Sequence, residues 1–317
     1  MALTEQQTLA GLRVLVCVAK ADGVLHEEER KSLSAALEGF SLPDGLTLDA
    51  LLDETCEIDD LAQRLQSDEA RVETFKSAYA MAHADGDCSS EEQALLDRLQ
   101  KSLDVSDDET TRVKKLFAGG GGAATGPMVK PIEDPMEREA KVQSEIMKCA
   151  LVSAVLGAFP FPGIAIATDL AVVGLQVGLV RDIGAMWGRE VDKKEARSLL
   201  VKLGVGTGAR IAASNLMKLA PGWGSAFGAA TSFGSSFAVG RTMNAHFARG
   251  ARGDMDALMS DFKQAQAEGK QVFAQNKDDI QRKSRASEAQ LKDLASSLKK
   301  GEIEQDEYER RVSQLSL

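Results

Sequence analysis

Apolar residues in the N-terminal third of the chain recur with the spacing of an α-helix rather than that of a β-strand. Leu9, Leu12 and Val16 follow one another at intervals of three and four residues, which places them on one helix face. The same spacing predicts helices over about residues 48–66 and 68–83. No stretch alternates Val, Ile, Thr and Tyr as a half-buried strand does. The fold class is therefore predicted to be all-α.

Two Asp-Gly pairs in this region are each expected to end a helix, and each is followed by acidic residues. The pattern A-x-A-D-G-x4-E-E begins at Ala19 and again at Ala82, with an offset of 63 residues. Glycine commonly ends a helix, and acidic residues favour the first turn of the next one. In the second copy, Ser89 and Glu92 have the spacing of a capping box. The repeat predicts an N-terminal bundle, residues 1–117, of two similar helical halves.

The acidic residues of the two copies are candidate ligands of a divalent cation. Their carboxylates are the hard oxygen donors that calcium or magnesium prefers. The candidates are Asp22, Glu28 and Glu29 in the first copy and Asp85, Asp87, Glu91 and Glu92 in the second. Their order does not match the loop of an EF-hand, and helix capping requires the same residue types without any metal. Both interpretations stay open.

Residues 118–137 are predicted to be a linker, because they contain four consecutive glycines and three prolines. The glycines lack the G-K-[ST] ending of a phosphate-binding loop, and no strand precedes them. The linker leads into a predicted middle domain, residues 138–253. A polar helical tail, residues 254–317, follows.

The middle domain combines long uncharged runs with closely spaced glycines. One run covers residues 151–168 and is interrupted by Pro160 and Pro162; another covers residues 219–240. Glycines four residues apart let helices approach closely, as they do in lipid. The pairs are Gly174/Gly178, Gly184/Gly188, Gly204/Gly208 and Gly224/Gly228. Trp187 and Trp223 are candidate anchors at a membrane interface, or else core residues.

The charge distribution separates the acidic head from the basic middle. Residues 1–115 hold 25 acidic and 12 basic residues, whereas residues 141–253 hold 6 acidic and 13 basic ones. The basic residues flank the uncharged runs, which suits an anionic membrane surface. Two interpretations therefore compete: the middle helices insert into or lie on a membrane, or they form a tightly packed soluble core. The same charge split, with few aromatics, disfavours nucleic-acid binding.

The polar tail carries a short apolar stripe at Leu291, Leu294 and Leu298, and Gly301 then ends that helix. A last amphipathic helix follows, with Tyr308 among its apolar residues. This pattern is typical of an oligomerising or partner-binding tail, although a solvated helical extension has the same composition.

Little in the sequence indicates catalysis or secretion. The three histidines share no triad spacing, and the motifs H-E-x-x-H, G-x-S-x-G and the phosphate loop do not occur, so the chain is predicted not to be an enzyme. None of the four cysteines forms a C-x-x-C pair, and they are predicted to be isolated reduced thiols. The N-terminus lacks the features of a signal peptide, so a cytoplasmic location is expected.

The doubled Ala-Asp-Gly motif carries a resemblance to a known family. Residues about 8–117, with Ala21-Asp22-Gly23 and Glu28-Glu29 repeated as Ala84-Asp85-Gly86 and Glu91-Glu92, resemble the TerB-like family of tellurite-resistance domains. The resemblance implies a compact bundle of two similar helical halves. It also implies acidic residues that are suspected to bind a divalent metal.

Two further segments resemble other families. Residues about 148–250 resemble a helical domain found beside some bacterial Era-like GTPases, which implies membrane association, although no GTPase motif is present. That resemblance rests on Phe161-Pro162-Gly163, Asp169-Leu170, Leu175-Gln176-Val177-Gly178, Arg181-Asp182-Ile183, Trp187-Gly188-Arg189, Pro221-Gly222-Trp223-Gly224 and Ala238-Val239-Gly240-Arg241. Residues about 291–315 resemble a short C-terminal helical domain of bacterial proteins, which implies oligomerisation.

Together these patterns predict a membrane-associated, non-enzymatic adaptor or sensor of the bacterial stress or tellurite-resistance type. Its acidic head recruits an unidentified protein partner or a divalent cation, its middle meets an anionic membrane surface at the inner membrane, and its tail forms a homo-oligomer. Two alternatives accompany this hypothesis. One is a soluble, self-assembling helical scaffold, and the other is a pore-forming protein with an insertable apolar hairpin.

Overall fold

The structure is a computed structural model that describes residues 3–21, 30, 47–83, 88–119, 129–158, 165–219, 225–252 and 255–315. Within these residues it contains thirteen helices and no strand, which confirms the all-α class. The first six helices are α1 (Glu5–Ala19), α2 (Leu48–Asp53), α3 (Ile58–Arg64), α4 (Asp68–His83), α5 (Ser90–Ser102) and α6 (Asp107–Gly119). The other seven are α7 (Pro135–Ala158), α8 (Ala165–Met186), α9 (Lys193–Lys202), α10 (Gly208–Leu219), α11 (Ser225–Ala248), α12 (Met255–Lys300) and α13 (Gln305–Ser313).

The chain forms two compact units that do not follow the sequence in simple order. Unit 1 consists of Met1–Ala118 and Gly206–Gly224, and unit 2 consists of Gly119–Val205 and Ser225–Leu317. Helix α10 therefore belongs to unit 1, although its residues lie inside the segment 138–253 that the sequence suggested as one middle domain. The four-part division of the chain stays a prediction, and these units cut across its third part.

The core of unit 1 is built around α1, which is buried on almost all sides. A capping box between Thr4 and Gln7 begins this helix, and Val14 and Leu15 have no exposed surface. α1 contacts α4 and α10. A Cβ atom on Gly11 would lie 3.0 Å from the Leu216 side chain, so glycine allows α10 to lie close to α1. A segment distant in sequence thus completes the N-terminal bundle.

A buried charged cluster joins α4 to α6 inside unit 1. Lys76 Nζ lies 3.1 Å from a Glu73 carboxylate oxygen and 2.9 Å from a Glu109 carboxylate oxygen. Asn215 of α10 donates to Ser77 Oγ at 2.9 Å and to the Glu73 carboxylate at 3.3 Å. Buried charges are stable only when they are paired and hydrogen-bonded, so this cluster fixes the mutual positions of three helices.

The core of unit 2 depends on a backbone contact between α7 and α11. A Cβ atom on Gly228 would lie 2.2 Å from the carbonyl oxygen of Gly157, and one on Gly157 would lie 2.4 Å from that of Gly228. Neither distance is physically attainable, so both positions require glycine while the helices keep this separation. Further along, Gly240 of α11 lies against the side chain of Ile146. The uncharged glycine-rich helices are therefore packed against each other.

Buried polar side chains cross the same core. Gln176 of α8 donates to Ser236 Oγ of α11 at 3.0 Å, and Ser236 donates to Ser153 Oγ of α7 at 2.8 Å. All three residues are at most 1 % exposed. Because buried hydroxyl and amide groups need partners, this chain of hydrogen bonds fixes the register of the three helices.

The tail folds back onto unit 2. α12 has 46 residues, about 70 Å at the usual helical rise, and its buried residues recur every three or four positions where it packs on α11. α13 packs on α8: Tyr308 is fully buried, and Gln305 donates to the Ala167 carbonyl at 2.9 Å. The apolar face of α13 is thus covered within its own unit. A homo-oligomer, which stays a prediction, needs another surface.

No helix in the described part of the chain has the length and apolar character needed to cross a membrane. The predicted hairpin turn at Pro160–Gly163, on which the pore-forming alternative depends, lies outside the described residues. Membrane association itself remains a prediction.

Asp182 of α8 makes the stability of unit 2 depend on pH. Burial, together with the nearby Glu145 carboxylate, raises the pKa of Asp182 to about 6. An acid with a raised pKa contributes most to stability when it is protonated, and this contribution is lost as the pH rises from about 4 through 6. We therefore expect Asp182→Asn to stabilise the protein by about 1–2 kcal/mol at pH 7.5 and by little at pH 4. The expected gain is smaller than the full pKa shift implies, because solvent partly screens the Asp182 carboxylate.

Thermal unfolding of the variant at both pH values measures this effect. The exposed Asp293→Asn on α12 serves as the control and should change stability by less than about 0.5 kcal/mol at either pH. An Asp182→Asn protein that is no more stable than the parent at pH 7.5 would contradict the raised pKa.

Candidate functional site

One face of α1 carries the residues from which the candidate site is built. Arg13, Cys17 and Lys20 follow at intervals of four and three residues, so their side chains lie in a row on the helix. Arg13 and Lys20 are partly exposed, whereas Cys17, between them, is 4 % exposed. Two cations thus flank a buried thiol.

Both cations hold the loop between α2 and α3 against α1. Arg13 pairs with both carboxylate oxygens of Glu54, at 2.5 and 2.8 Å. The Lys20 ammonium donates to the backbone carbonyls of Leu52 and Glu54, at 2.8 and 3.3 Å. The hydrogen bond from Arg13 holds the pKa of Glu54 below its ordinary value. This bidentate pair and the two carbonyl contacts position the loop residue Cys56.

The loop places Cys56 beside Cys17, and the two thiols share a hydrogen bond. That bond, with help from the Lys20 charge, lowers the pKa of Cys56 to about 7, although burial and the Glu54 and Glu57 carboxylates oppose the shift. The same bond, followed by burial, raises the pKa of Cys17. At neutral pH, Cys56 is therefore partly thiolate, and this thiolate accepts the hydrogen bond from the Cys17 thiol.

Helix α5 forms the facing wall of a pocket of about 440 Å³ that contains both sulfur atoms. It contributes Glu91, Ala94, Leu95 and Arg98, which recur with helical spacing on one face. Arg98 pairs with Asp59 of α3 at 2.6 Å, and this ion pair links the two helices beside the pocket. The site is thus a small cleft with a thiol pair at its base and charged groups at its edge.

The structure describes only part of the predicted metal site. Five of its seven candidates lie outside the described residues: Asp22, Glu28, Glu29, Asp85 and Asp87. Glu92 completes the capping box at the start of α5 by accepting from Ser89, as the sequence predicted. Glu91 accepts from the Ser90 hydroxyl and lines the thiol pocket. No cluster of three metal-ligating side chains occurs among the described residues.

The predicted helix-packing glycines of α8 contact neighbouring segments of unit 2. A Cβ atom on Gly174 would lie 2.8 Å from a Glu309 carboxylate oxygen, and one on Gly184 would lie 2.7 Å from the Val191 side chain. Gly178 is buried within the same helix. These three glycines therefore lie in the interior of unit 2.

The remaining predicted glycines differ in their surroundings. Gly208, at the start of α10, would place a Cβ atom 2.5 Å from two carbonyl oxygens of α4, and Gly228 touches the α7 backbone as described above. Gly188 and Gly204 follow the ends of α8 and α9 with positive φ angles of 73° and 69°, the conformation that glycine adopts after a helix. Gly224 lies outside the described residues.

Trp187, a predicted membrane anchor, is half-buried and fully partnered within unit 2. Its indole N–H donates to Asn244 at 2.8 Å, and the Arg138 guanidinium lies 3.9 Å above its ring. Asn244 in turn donates to Glu139 at 3.0 Å. These contacts give Trp187 a role in joining α7, α8 and α11. Trp223 lies outside the described residues.

With this geometry in place, comparison with known proteins assigns the first part of the chain. Residues 8–115 match the family described as Tellurite resistance protein TerB. Unit 1 therefore carries a TerB-like domain. This confirms the first of the three resemblances, whereas the other two stay predictions. No curated protein and no solved structure matches the chain. The thiol pair and all residues around it lie within the matched range, whereas α10 and unit 2 lie outside it.

All four cysteines are free thiols, as predicted. Cys17 and Cys56 are not isolated, however, because both line the same pocket. They are 39 positions apart and in different elements, so no spacing rule connects them. The sequence did indicate that Cys17 lies close to charged groups, because its spacing places Cys17 on one helix face with Arg13 and Lys20. Nothing in the sequence indicated that the loop after α2 returns to that face.

Proposed function

We propose that the chain is a non-enzymatic adaptor or sensor of the tellurite-resistance and stress-response type. The observation that carries this proposal is the TerB match over residues 8–115. The pocket with its two thiols lies inside that domain, which makes unit 1 the part that receives a signal or a partner. Unit 2 supplies a separate helical body, stabilised by its own glycine contacts and polar core.

The acidic surface of the TerB-like domain supports recruitment of a partner. Residues 1–115 carry 25 acidic residues against 12 basic ones, an excess that attracts cationic surfaces over several ångströms at physiological salt. A protein partner with a basic face fits this charge. Binding of calcium or magnesium at the doubled acidic motif remains part of the proposal, and calorimetric titration of the full chain with each ion tests it.

Tellurite tolerance tests the proposed function. A host strain lacking the gene should grow at lower tellurite concentrations than its parent, and the wild-type gene should restore growth. A gene carrying Lys76→Met, which disrupts the core of unit 1, should fail to restore it, whereas the exposed control Arg64→Met should succeed. Equal growth of the deletion strain and its parent under tellurite would contradict the proposal.

Contact with an anionic membrane surface is proposed through headgroups rather than through insertion. Helices α8 and α11 are largely buried inside unit 2, but Lys193, Lys194 and Lys202 of α9 are exposed. Each exposed cation near anionic lipid contributes about 1 kcal/mol to binding. The full chain should therefore float with anionic but not with neutral vesicles, and exchanging the three lysines for glutamate should abolish flotation.

Exchanging the three lysines of α9 for glutamate tests membrane binding more sharply than a deletion of residues 141–253 would. That deletion would take α10 out of unit 1 and leave the core of the TerB-like domain incomplete. If the full chain floats with neither type of vesicle, or if the reversed variant floats as well as the parent, the membrane part of the proposal is wrong.

A self-assembling scaffold is the second candidate, and one observation favours it. The glycine helices pack tightly against each other in unit 2, as the helices of a self-supporting core do. A scaffold predicts a single defined oligomer in detergent-free buffer. Light scattering coupled to size-exclusion chromatography measures its mass, and a monomer at all accessible concentrations would exclude this candidate.

A further inference from the structure

The proposed function assigns no chemical reaction to the two thiols of unit 1. Cys17 and Cys56 line the same cleft of about 440 Å³. Arg13 and Lys20 hold the loop of Cys56 in that position through Glu54 and two backbone carbonyls. A structural thiol requires none of these arrangements.

We propose that Cys17 and Cys56 form a two-thiol reactive site that takes small two-electron oxidants of the hydroperoxide class and closes into a disulfide. The assignment rests on the position of both cysteines in one cleft that admits a small molecule, and on the cations that hold the Cys56 loop there. It does not depend on the adaptor function, because the chemistry belongs to the domain alone.

The two thiols differ in accessibility in the way that such a site requires. Cys56 is exposed on a short loop and faces the cleft, so an oxidant reaches it first. Cys17 is buried on α1 and lines the same cleft, so it is the partner proposed to close the disulfide with Cys56. The hydrogen bond from Cys17 and the Lys20 charge keep much of Cys56 as thiolate at neutral pH, and the thiolate is the reactive form.

The other two cysteines lack this combination. Cys149 is buried in unit 2, and burial raises its pKa to about 12, which makes it unreactive at neutral pH. Cys88 is partly exposed, and its thiol donates to the Ser89 carbonyl at 3.6 Å. Cys88 therefore serves as the comparison thiol within unit 1.

The reaction balances in two steps. The Cys56 thiolate attacks the terminal oxygen of the hydroperoxide, and the O–O bond breaks. The other oxygen takes a proton from solvent and leaves as water from hydrogen peroxide, or as the alcohol from an organic hydroperoxide. Cys56 becomes a sulfenic acid, oxidised by two electrons, and the peroxide is reduced by two. Cys17 then attacks this sulfur; an S–S bond forms, the S–O bond breaks, and the hydroxide leaves as water with the Cys17 proton.

Closure to a disulfide requires only a local movement. The sulfur atoms must approach from hydrogen-bonding contact to about 2.05 Å. Cys56 lies in the short loop between α2 and α3, whereas Cys17 is fixed in the central helix, so the loop makes the movement. Exchange with two equivalents of a thiol reductant reopens the site.

Oxidation of the reduced full chain by hydrogen peroxide at pH 7, followed by alkylation and peptide mapping, tests the proposal. In the wild type we expect a Cys17–Cys56 disulfide, with Cys88 and Cys149 alkylated. Cys56 should react faster than Cys88, because it is the more exposed thiol and its lowered pKa raises its thiolate fraction. In Cys17→Ala the disulfide should be absent, and dimedone should trap Cys56 as its sulfenic acid.

Two further variants keep the outcome decisive. Cys88→Ala is the matched control and should form the same disulfide at the same rate. Cys56→Ser replaces an exposed side chain, so it should fold normally while Cys17 stays reduced. Oxidation of Cys88 before Cys56, a disulfide that joins other cysteines, or an unchanged oxidation of Cys17 in Cys56→Ser would each overturn the proposal.

Discussion

Replacing Gly228 with alanine should destabilise unit 2 by about 3 kcal/mol, at the upper end of the range for overpacked cores. The added methyl group would lie 2.2 Å from the carbonyl oxygen of Gly157, so α7 and α11 must separate along their contact. Backbone atoms cannot rotate out of the way as a side chain does. The separation also stretches the hydrogen bond between Ser153 and Ser236, which joins the same two helices.

A matched control lies on the same helix. Gly234 has open space where its Cβ atom would be, so Gly234→Ala should raise stability by up to about 1 kcal/mol through helix propensity alone. Differential scanning calorimetry measures both variants, and we expect Gly228→Ala to lower the melting temperature by roughly 6–12 °C. Hydrogen exchange should show the loss of protection in α7 and α11. Equal stability of the two variants would show that the helices do not touch at Gly157.

Replacing Lys76 with methionine should destabilise unit 1 by about 3–5 kcal/mol, the usual effect of breaking a buried ion pair. Methionine keeps most of the apolar stem but leaves Glu73 without its cation, and Glu109 with Arg112, 3.3 Å away, as its remaining ion-pair partner. In the intact cluster, burial alone would raise the pKa of Glu109, but the hydrogen bond and charge of Lys76 hold that pKa below its ordinary value. Once Lys76 is gone, the Glu73 carboxylate, which is 2 % exposed, carries most of the penalty of burial.

Neutralising the carboxylates should rescue the variant. Adding Glu73→Gln and Glu109→Gln to Lys76→Met removes the unpaired charges, so most of the lost stability should return. The deficit of the single variant should also shrink as the pH falls toward 4, because the carboxyl groups then take up protons. Chemical unfolding of the three proteins measures both effects. Arg64→Met breaks an exposed pair with Asp60 and should change stability by at most about 1 kcal/mol; a similarly small change for Lys76→Met would contradict the buried cluster.

The fold class and the helix caps could be predicted from the sequence, because they depend on residues that are close together in the chain. The capping box at Ser89 and Glu92 was predicted from spacing alone, and the structure contains it. The unit to which residues 206–224 belong could not be predicted in this way. Periodicity shows that α10 has an apolar face, but only the fit of Gly208 against α4 and of Leu216 against Gly11 shows which unit covers that face.

The glycine-rich helices show a second limit of sequence reasoning. Glycines four residues apart permit close helix contact both in lipid and in a protein core, so the spacing leaves the two environments unresolved. The contacts of Gly157 with Gly228 and of Gly240 with Ile146 show the partners these helices have within unit 2. Glycines of the same spacing also end helices, as Gly188 and Gly204 do.

The thiol site could not be predicted, since it depends on a tertiary contact between α1 and a loop. What the sequence contained was half of the site, the row of Arg13, Cys17 and Lys20. The other half required the position of Glu54, because its pair with Arg13 brings Cys56 to the same face.

The pH dependence of Cys56 alkylation tests most directly whether the two thiols of this TerB-like domain interact. Full-length protein is pulsed with iodoacetamide between pH 5.5 and 10, and the labelled fraction of each cysteine is read by mass spectrometry. The structure predicts a midpoint near pH 7 for Cys56, moving toward the ordinary value of about 8.5 in Cys17→Ala, which removes the donated hydrogen bond. A midpoint above about 8 in the wild type, unchanged by Cys17→Ala, would show that the two thiols do not meet and would contradict the account.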